Sequence, residues 1–316
     1  MPTLYDGNGN IIEISSSSSS SDFGVSNYAV YEDDNGSARQ GNLTYQGKTF
    51  YPITNQDQRQ DKVKVYNGGV MLTLGDSYTT YMNTPYFTPF AAKHGLVQDN
   101  RGLASSTISG SEDCVTVGYH AFWVRLNTVI SEYQAGHVIN GTTYNLDDVK
   151  LITFMGGAND WNTMNSTINR LGTGANETNK ETLYGACNYI FRTLLDTFPN
   201  ADIVVILQPV NYANTVPTTE EGAISVGFDN LAQVQGMTDA QYSSFLMMRK
   251  EAIVKEMAER YGLPICDCCF EWYNPNRANE ATKYWQTDKL HLTAEGHQAV
   301  IDKLEKVVNN MPFERN

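Results

Sequence analysis

Positive charge is scarce in this chain. Its 316 residues hold 22 lysines and arginines against 35 aspartates and glutamates, a formal net charge of −13. Displacing counterions from nucleic-acid phosphates needs a basic face, and so does docking on an anionic bilayer, so the balance argues against both partners. Long apolar runs are missing too, and none approaches the roughly 20 residues of a membrane span. Cysteine is sparse, with five in the whole chain. Cys266, Cys268 and Cys269 crowd into the run ICDCC, while Cys114 and Cys187 stand alone. No second cluster completes a four-ligand metal site, and the spacing is not that of a disulfide framework. The crowded thiols read as small apolar side chains at a buried strand end, and neither metal nor cofactor is expected.

Enough apolar residue is present, 41% of the chain, to bury a sizeable core. Residues 1–67 differ from the rest. They carry DGNGN, seven consecutive serines (Ser15 to Ser21) and EDDNGS, with short strand-like pieces between turn signals. This reads as a small β-rich or extended appendage. Residues 68–316 alternate apolar runs of strand length with amphipathic stretches. Strands are expected at 70–75, 95–100, 149–155, 202–209 and 263–268, and helices at about 85–94, 118–134, 179–197, 239–261 and 293–309. The third and fourth strand runs are nearly continuous in apolar residues, as central parallel strands covered on both faces require. In the fourth helix Leu246, Ile253, Met257 and Tyr261 share one face, a core-facing stripe. Repeated strand–helix alternation predicts a three-layer α/β fold with a mainly parallel five-stranded sheet. Ligands in such folds bind beyond the carboxyl ends of the strands, so the motifs there matter most.

Three short motifs fall at those ends. The first strand runs into Leu74-Gly75-Asp76-Ser77-Tyr78, the third into Gly156-Gly157-Ala158-Asn159-Asp160-Trp161, and the last helix is preceded by Asp288-Lys289-Leu290-His291. Singly, each is ordinary turn or cap chemistry. Together, in this order and on one sheet edge, they resemble the sequence blocks of the SGNH/GDSL hydrolase family over residues 70 to about 309. That resemblance implies a flavodoxin-like sandwich and a serine ester hydrolase. Gly75-Asp76-Ser77 matches the block with the nucleophile, GGAND the block with the oxyanion asparagine, and Asp288 to His291 the block with the acid and base. The remaining block is imperfect. Asn100, Gly102 and Thr107 match, but Ser105 stands where the family has the glycine whose N–H meets the oxyanion. A backbone N–H survives that swap, while the conformation is strained for a non-glycine residue if φ is positive. Ser105 is assigned as donor, with Gly102 as fallback. The absence of a GxSxG motif argues against an α/β-hydrolase nucleophile elbow.

The chemistry these residue types permit agrees with the resemblance. A serine hydroxyl becomes nucleophilic when a base takes its proton, and His291 is the candidate base. Asp288 would orient the imidazole and stabilise its cation. The Ser77 and Ser105 N–H groups and the Asn159 amide would receive the developing oxyanion. Trp161 and Trp285 are candidates to line a substrate pocket. The insertions at 160–178 and 210–237 are polar, which favours a short acyl group, acetyl above all, on a hydrophilic carrier such as an O-acylated glycan. The run LTYQGKTFYPITNQDQ near the N-terminus resembles segments of phage and prophage tail proteins. It implies tail or homo-oligomeric assembly through the N-terminal region. The opening MPTLYDGNGN has neither a basic nor an apolar leader segment, so a cytoplasmic or tail-associated location is expected. Three other readings stay open: a silent glycan-binding module on the same fold, a vestigial structural tail protein, and a lipase or thioesterase.

Overall fold

The computed structural model describes residues 4–5, 11–12, 43–45, 48–50, 63–66, 68–80, 87–111, 120–160, 171–211, 214–225, 230–269 and 281–311. Its contacts divide the chain into two compact units, Met1–Lys62 with Asn309–Asn316, and Val63–Val308. In the first, Leu4–Tyr5 pairs antiparallel with Ile11–Ile12, and Leu43–Tyr45 with Lys48–Phe50. Cys114 and Trp161 lie outside the described residues.

The second unit is an α/β sandwich. Its sheet has five parallel strands, β1 Val70–Gly75, β2 Val97–Asn100, β3 Val149–Met155, β4 Asp202–Leu207 and β5 Ile265–Asp267, in the order β5-β4-β3-β1-β2. Five longer helices accompany it: α1 Phe87–Lys93, α2 Phe122–Ala135, α3 Leu183–Thr197, α4 Asp239–Arg260 and α5 Ala294–Asn309. Alternation along each strand sets the layers. Val70, Leu72 and Leu74 of β1, Ile152 and Phe154 of β3, and Val205 and Leu207 of β4 join one apolar cluster with α2, α3 and α4. Met71, Leu151, Val204 and Ile206, also buried, point to the other face. There α1 and α5 meet through the Lys93–Glu305 ion pair.

The strands β1 and β3 coincide with the apolar runs that predict them. The others are shorter, for local reasons. Gly95 takes φ 75° in the turn before β2, and the prolines at 209 and 264 have no N–H to offer a neighbouring strand. Helix α2 begins at Phe122 because Ala121 bridges Thr107, with the Phe122 N–H donating to the Thr107 carbonyl at 2.8 Å. Thr238 and Gln241 form a reciprocal capping box at the start of α4. Gly262, at φ 66°, ends that helix as a left-handed cap. One hairpin was not among the expected strands. His137–Ile139 pairs with Thr142–Tyr144 across Asn140 (φ 49°) and Gly141 (φ 81°), the two left-handed residues of a type I′ turn.

The chain order reverses between β1 and β3. Loops leaving that switch point at the carboxyl edge diverge and leave a crevice, and the GDS and GGAND motifs are those two loops.

Candidate active site

The first loop is held by its own aspartate. Ser77 opens a single helical turn, Ser77–Thr80, directly after β1, and only 7% of it is exposed. The Asp76 carboxylate accepts the Tyr78 N–H at 2.9 Å, and the Asp76 carbonyl accepts the Thr79 hydroxyl at 2.8 Å. The other Asp76 oxygen accepts Gln208 Nε2 at 2.8 Å, from the residue just past β4. Burial pushes the Asp76 carboxyl up to about 6, against the pull of these donors and of the Lys250 charge. Asp76 therefore works as the bracket of the loop that carries Ser77.

The second loop follows β2. Asn100 accepts the Gly102 N–H at 2.9 Å and donates to the Thr79 carbonyl at 3.0 Å, while the Leu103 N–H reaches the Gly75 carbonyl at 3.0 Å. Gly102 has no room for a side chain, since a Cβ would lie 2.0 Å from Thr79 Oγ1. Ser105 has φ 62°, the left-handed conformation that glycine adopts without strain. Arg125 of α2 braces the loop, donating to Ser106 Oγ at 3.1 Å and to the Arg101 carbonyl. Burial, with the neighbouring Arg101 charge, pulls the Arg125 guanidinium down to about 10.

The third loop follows β3. Asn159 Nδ2 donates to the Ser106 carbonyl at 2.9 Å, and an amide nitrogen carries a second hydrogen that a developing oxyanion can take. Asp160 is buried and accepts the Ile108 N–H at 2.9 Å, the Ser109 N–H at 2.9 Å and the Ser109 hydroxyl at 2.6 Å. Burial raises its pKa while these donors pull it back. Asn159 and Asp160 thus fasten the third loop to the second.

The fourth piece is self-contained. Asp288 Oδ1 accepts the Leu290 N–H at 2.9 Å and the His291 N–H at 3.0 Å, and Asp288 Oδ2 lies 2.6 Å from His291 Nδ1. Partial burial raises the Asp288 carboxyl, but these hydrogen bonds outweigh it and hold it below its ordinary value. The His291 Nδ1 proton faces the carboxylate, which leaves Nε2 as the basic nitrogen. The loop closes on an antiparallel bridge between Trp285 and Leu292, and Lys289 takes φ 58° at its tip. Trp285 is 7% exposed, with its ring edge-on to Tyr284, so it braces the base of this loop. The His291 ring lies 6.3 Å from that of Tyr78, the residue after Ser77.

The structure therefore gathers the Ser77, Gly102–Ser105, Asn159 and Asp288–His291 segments at one edge of the sheet. Sequence reasoning missed the residues that hold them there. Asp160 lies inside the GGAND motif without an assigned role. Lys250 and Glu251 interrupt the apolar face of α4, Lys250 falling four residues after Leu246 and three before Ile253. A charge at a core position of an amphipathic helix is a readable signal. Gln208 and Arg125 carry no such mark. Among the described residues no cluster of histidine, cysteine, aspartate or glutamate could hold a metal ion, and no helix is long and apolar enough to cross a membrane.

The sequence profile of the GDSL-like lipase/acylhydrolase family matches residues 73–299. Among solved structures, a protein from Lactobacillus plantarum is 21% identical, with a TM-score of 0.50, covering 75% of this chain and 95% of that one. A lipase/acylhydrolase from Enterococcus faecalis is 13% identical, with a TM-score of 0.44, covering 78% of this chain and 100% of that one. An acetyl-xylooligosaccharide esterase from Geobacillus is 14% identical, with a TM-score of 0.45, covering 80% of this chain and 99% of that one. No curated protein matches the chain.

Proposed function

The chain belongs to the GDSL-like lipase/acylhydrolase family, and from that premise we propose that it is a serine esterase that removes short acyl groups, acetyl above all, from a carbohydrate. The observation that carries the reading is the Asp288–His291 pair. One carboxylate oxygen is fixed by two backbone N–H groups and the other holds the imidazole at 2.6 Å, beside the segment that bears Ser77. In this mechanism Ser77 Oγ attacks the ester carbonyl and His291 Nε2 takes its proton. Asp288 stabilises the imidazolium. The oxyanion is received by the Ser77 and Ser105 N–H groups and the Asn159 amide. His291 then gives the proton to the departing alcohol. Water, activated in the same way, cleaves the acyl-enzyme and restores Ser77. The left-handed backbone of Ser105 supports its role as donor, because it matches the conformation open to the glycine it replaces.

The polar insertions at 160–178 and 210–237 support a short acyl group, since a site for long chains needs a larger apolar surface. The N-terminal unit, whose Leu43–Tyr45 and Lys48–Phe50 pairing falls within the tail-like run, would attach the enzyme to a phage-tail or oligomeric assembly. The test uses p-nitrophenyl acetate and p-nitrophenyl octanoate with wild type and Ser77→Ala. Wild type should prefer the acetyl ester, and Ser77→Ala should lose both activities. A preference rising with chain length means a lipase, and no hydrolysis by wild type means a silent fold.

A further inference from the structure

Behind the three strand-end loops lies a fully buried cluster that the mechanism does not use: Asp76, Asp160, Gln208, Lys250 and Glu251. Lys250 comes from the sheet-facing side of α4, and its Nζ donates to the Gly157 carbonyl at 2.5 Å. That carbonyl also accepts the Asp160 N–H, at 3.2 Å. Glu251 Oε2 accepts the Gln208 N–H at 3.1 Å, and Gln208 Nε2 continues to Asp76. Gly157 has φ 125°, and a Cβ there would come within 3.2 Å of Glu251 Oε1 and 3.7 Å of Gln208 Oε1. The loop carrying Asn159 and the loop carrying Ser77 are thus tied to one helix by consecutive residues of that helix. The second loop joins through Asp160, which accepts from Ile108 and Ser109.

Resting on the esterase reading, we infer that Lys250 and Glu251 are positioning residues of the hydrolytic site, Lys250 fixing the oxyanion loop through Gly157 and Glu251 coupling it, through Gln208 and Asp76, to the nucleophile loop. Stability alone gives little reason for such a cluster. Burying ions is costly, and apolar residues of similar size often serve as well or better. Registering three loops is a different task, because displacing a reacting group by about 1 Å can cost on the order of 10² in rate.

Burial drives the Glu251 carboxyl well up and Lys250 down to about 8, the latter against the attraction of Asp160, Glu251, Asp76 and Cys269. Glu251 Oε1 and Gln208 Oε1 have no hydrogen-bond partner among the described residues, and both lie beside Gly157. A proton on Glu251 would let its Oε1 act as a donor. Glutamine at 251 keeps a carbonyl to accept from the Gln208 N–H, and its NH₂ is a donor as an acid O–H is.

The experiment uses the full chain and three variants, Lys250→Met, Gln208→Met and Glu251→Gln. Each is read by kcat and KM on p-nitrophenyl acetate, by the rate of fluorophosphonate labelling of Ser77, and by thermal midpoint. Lys250→Met and Gln208→Met should lower kcat about tenfold or more, with KM within about twofold and labelling slowed in parallel. Glu251→Gln should keep kcat within about threefold, because the isostere still accepts from the Gln208 N–H. Wild-type kcat in Lys250→Met or Gln208→Met, with an active wild type, overturns the inference and leaves the esterase reading intact. So does a loss confined to stability. If Lys250→Met does not fold, Gln208→Met decides alone. A collapse of kcat in Glu251→Gln overturns the role given to Glu251 as a hydrogen-bonding tie to Gln208. An inactive wild type overturns the esterase reading and this inference with it.

Discussion

The two halves of the candidate site are built in opposite ways. The Ser77 side is assembled from residues far apart in sequence, with Asp76 meeting Gln208, Asp160 meeting Ile108 and Lys250 meeting Gly157, all in the interior. The Asp288–His291 side is assembled within four residues on a partly exposed turn. Side chains on the first half owe their geometry to the whole sheet. Those on the second owe it to one Asx-type turn, which Asp288 makes with its own neighbours. Substitutions should therefore separate activity from stability on the turn and couple them in the interior.

The largest expected effect is at Ser77, the proposed nucleophile. Ser77→Ala should lower kcat on p-nitrophenyl acetate by about 10⁴-fold or more, and a fluorophosphonate should label wild type and leave the variant unlabelled. Labelling that persists would move the nucleophile elsewhere. The comparison itself is tested by two aspartate-to-asparagine changes. Asp288→Asn keeps an oxygen for the two backbone N–H groups but loses the anion facing His291. It should reduce kcat by roughly 10²-fold or more while the thermal midpoint holds. Asp160→Asn puts an NH₂ among buried donors and should lose about 1–3 kcal/mol of stability together with activity. If the two variants behave alike, the contrast between the halves fails.

Asn159→Ala should lower kcat by about 10²-fold with KM little changed. A loss confined to KM would make Asn159 a uniform binder of substrate. A smaller effect is expected from His297, buried on α5. Burial, with the His291 charge adding to it, pushes its pKa down from 6.5 to about 3. The folded protein then binds fewer protons than the unfolded chain between those values, so stability falls as pH falls through that window. Asp76 acts in the opposite sense over part of the range, since its pKa is raised. His297→Asn should flatten the loss in urea midpoint between about pH 7 and about pH 4.5 relative to wild type. The smallest effect is a null one. A chain beginning near Asp61 keeps Lys64 and Tyr66, which hydrogen-bond Asp202, and should hydrolyse p-nitrophenyl acetate as the full chain does. Insolubility would make the N-terminal unit an integral layer of the hydrolase.

How far the sequence was legible follows the same divide. The sandwich could be read because each strand and helix announces itself within its own span, VKLITFM at Val149–Met155 being the clearest. The Asp288–His291 turn could be read for the same reason. The interior ties could not, because nothing near Gln208 says that it will meet Asp76, and nothing near Arg125 says that it will brace Ser106. Such pairings exist once the sheet has brought β1, β3 and β4 together. Lys250 was half legible, as a charge on an apolar face, but its partner Gly157 lies in another motif.

The segment after β4 shares a small core with the start of α4, in which Ala223 and Val234 pack with Tyr242 and Leu246 of that helix and with Val216, Leu231 and Met237. A segment whose apolar side chains are met by one end of one helix is a cassette anchored at that helix. It could be lengthened or swapped while the sheet beneath keeps its register, provided that Tyr242 and Leu246 stay covered, because its cluster is separate from the main one. A change of length there would then leave the sheet edge that carries Ser77 and Asn159 in place.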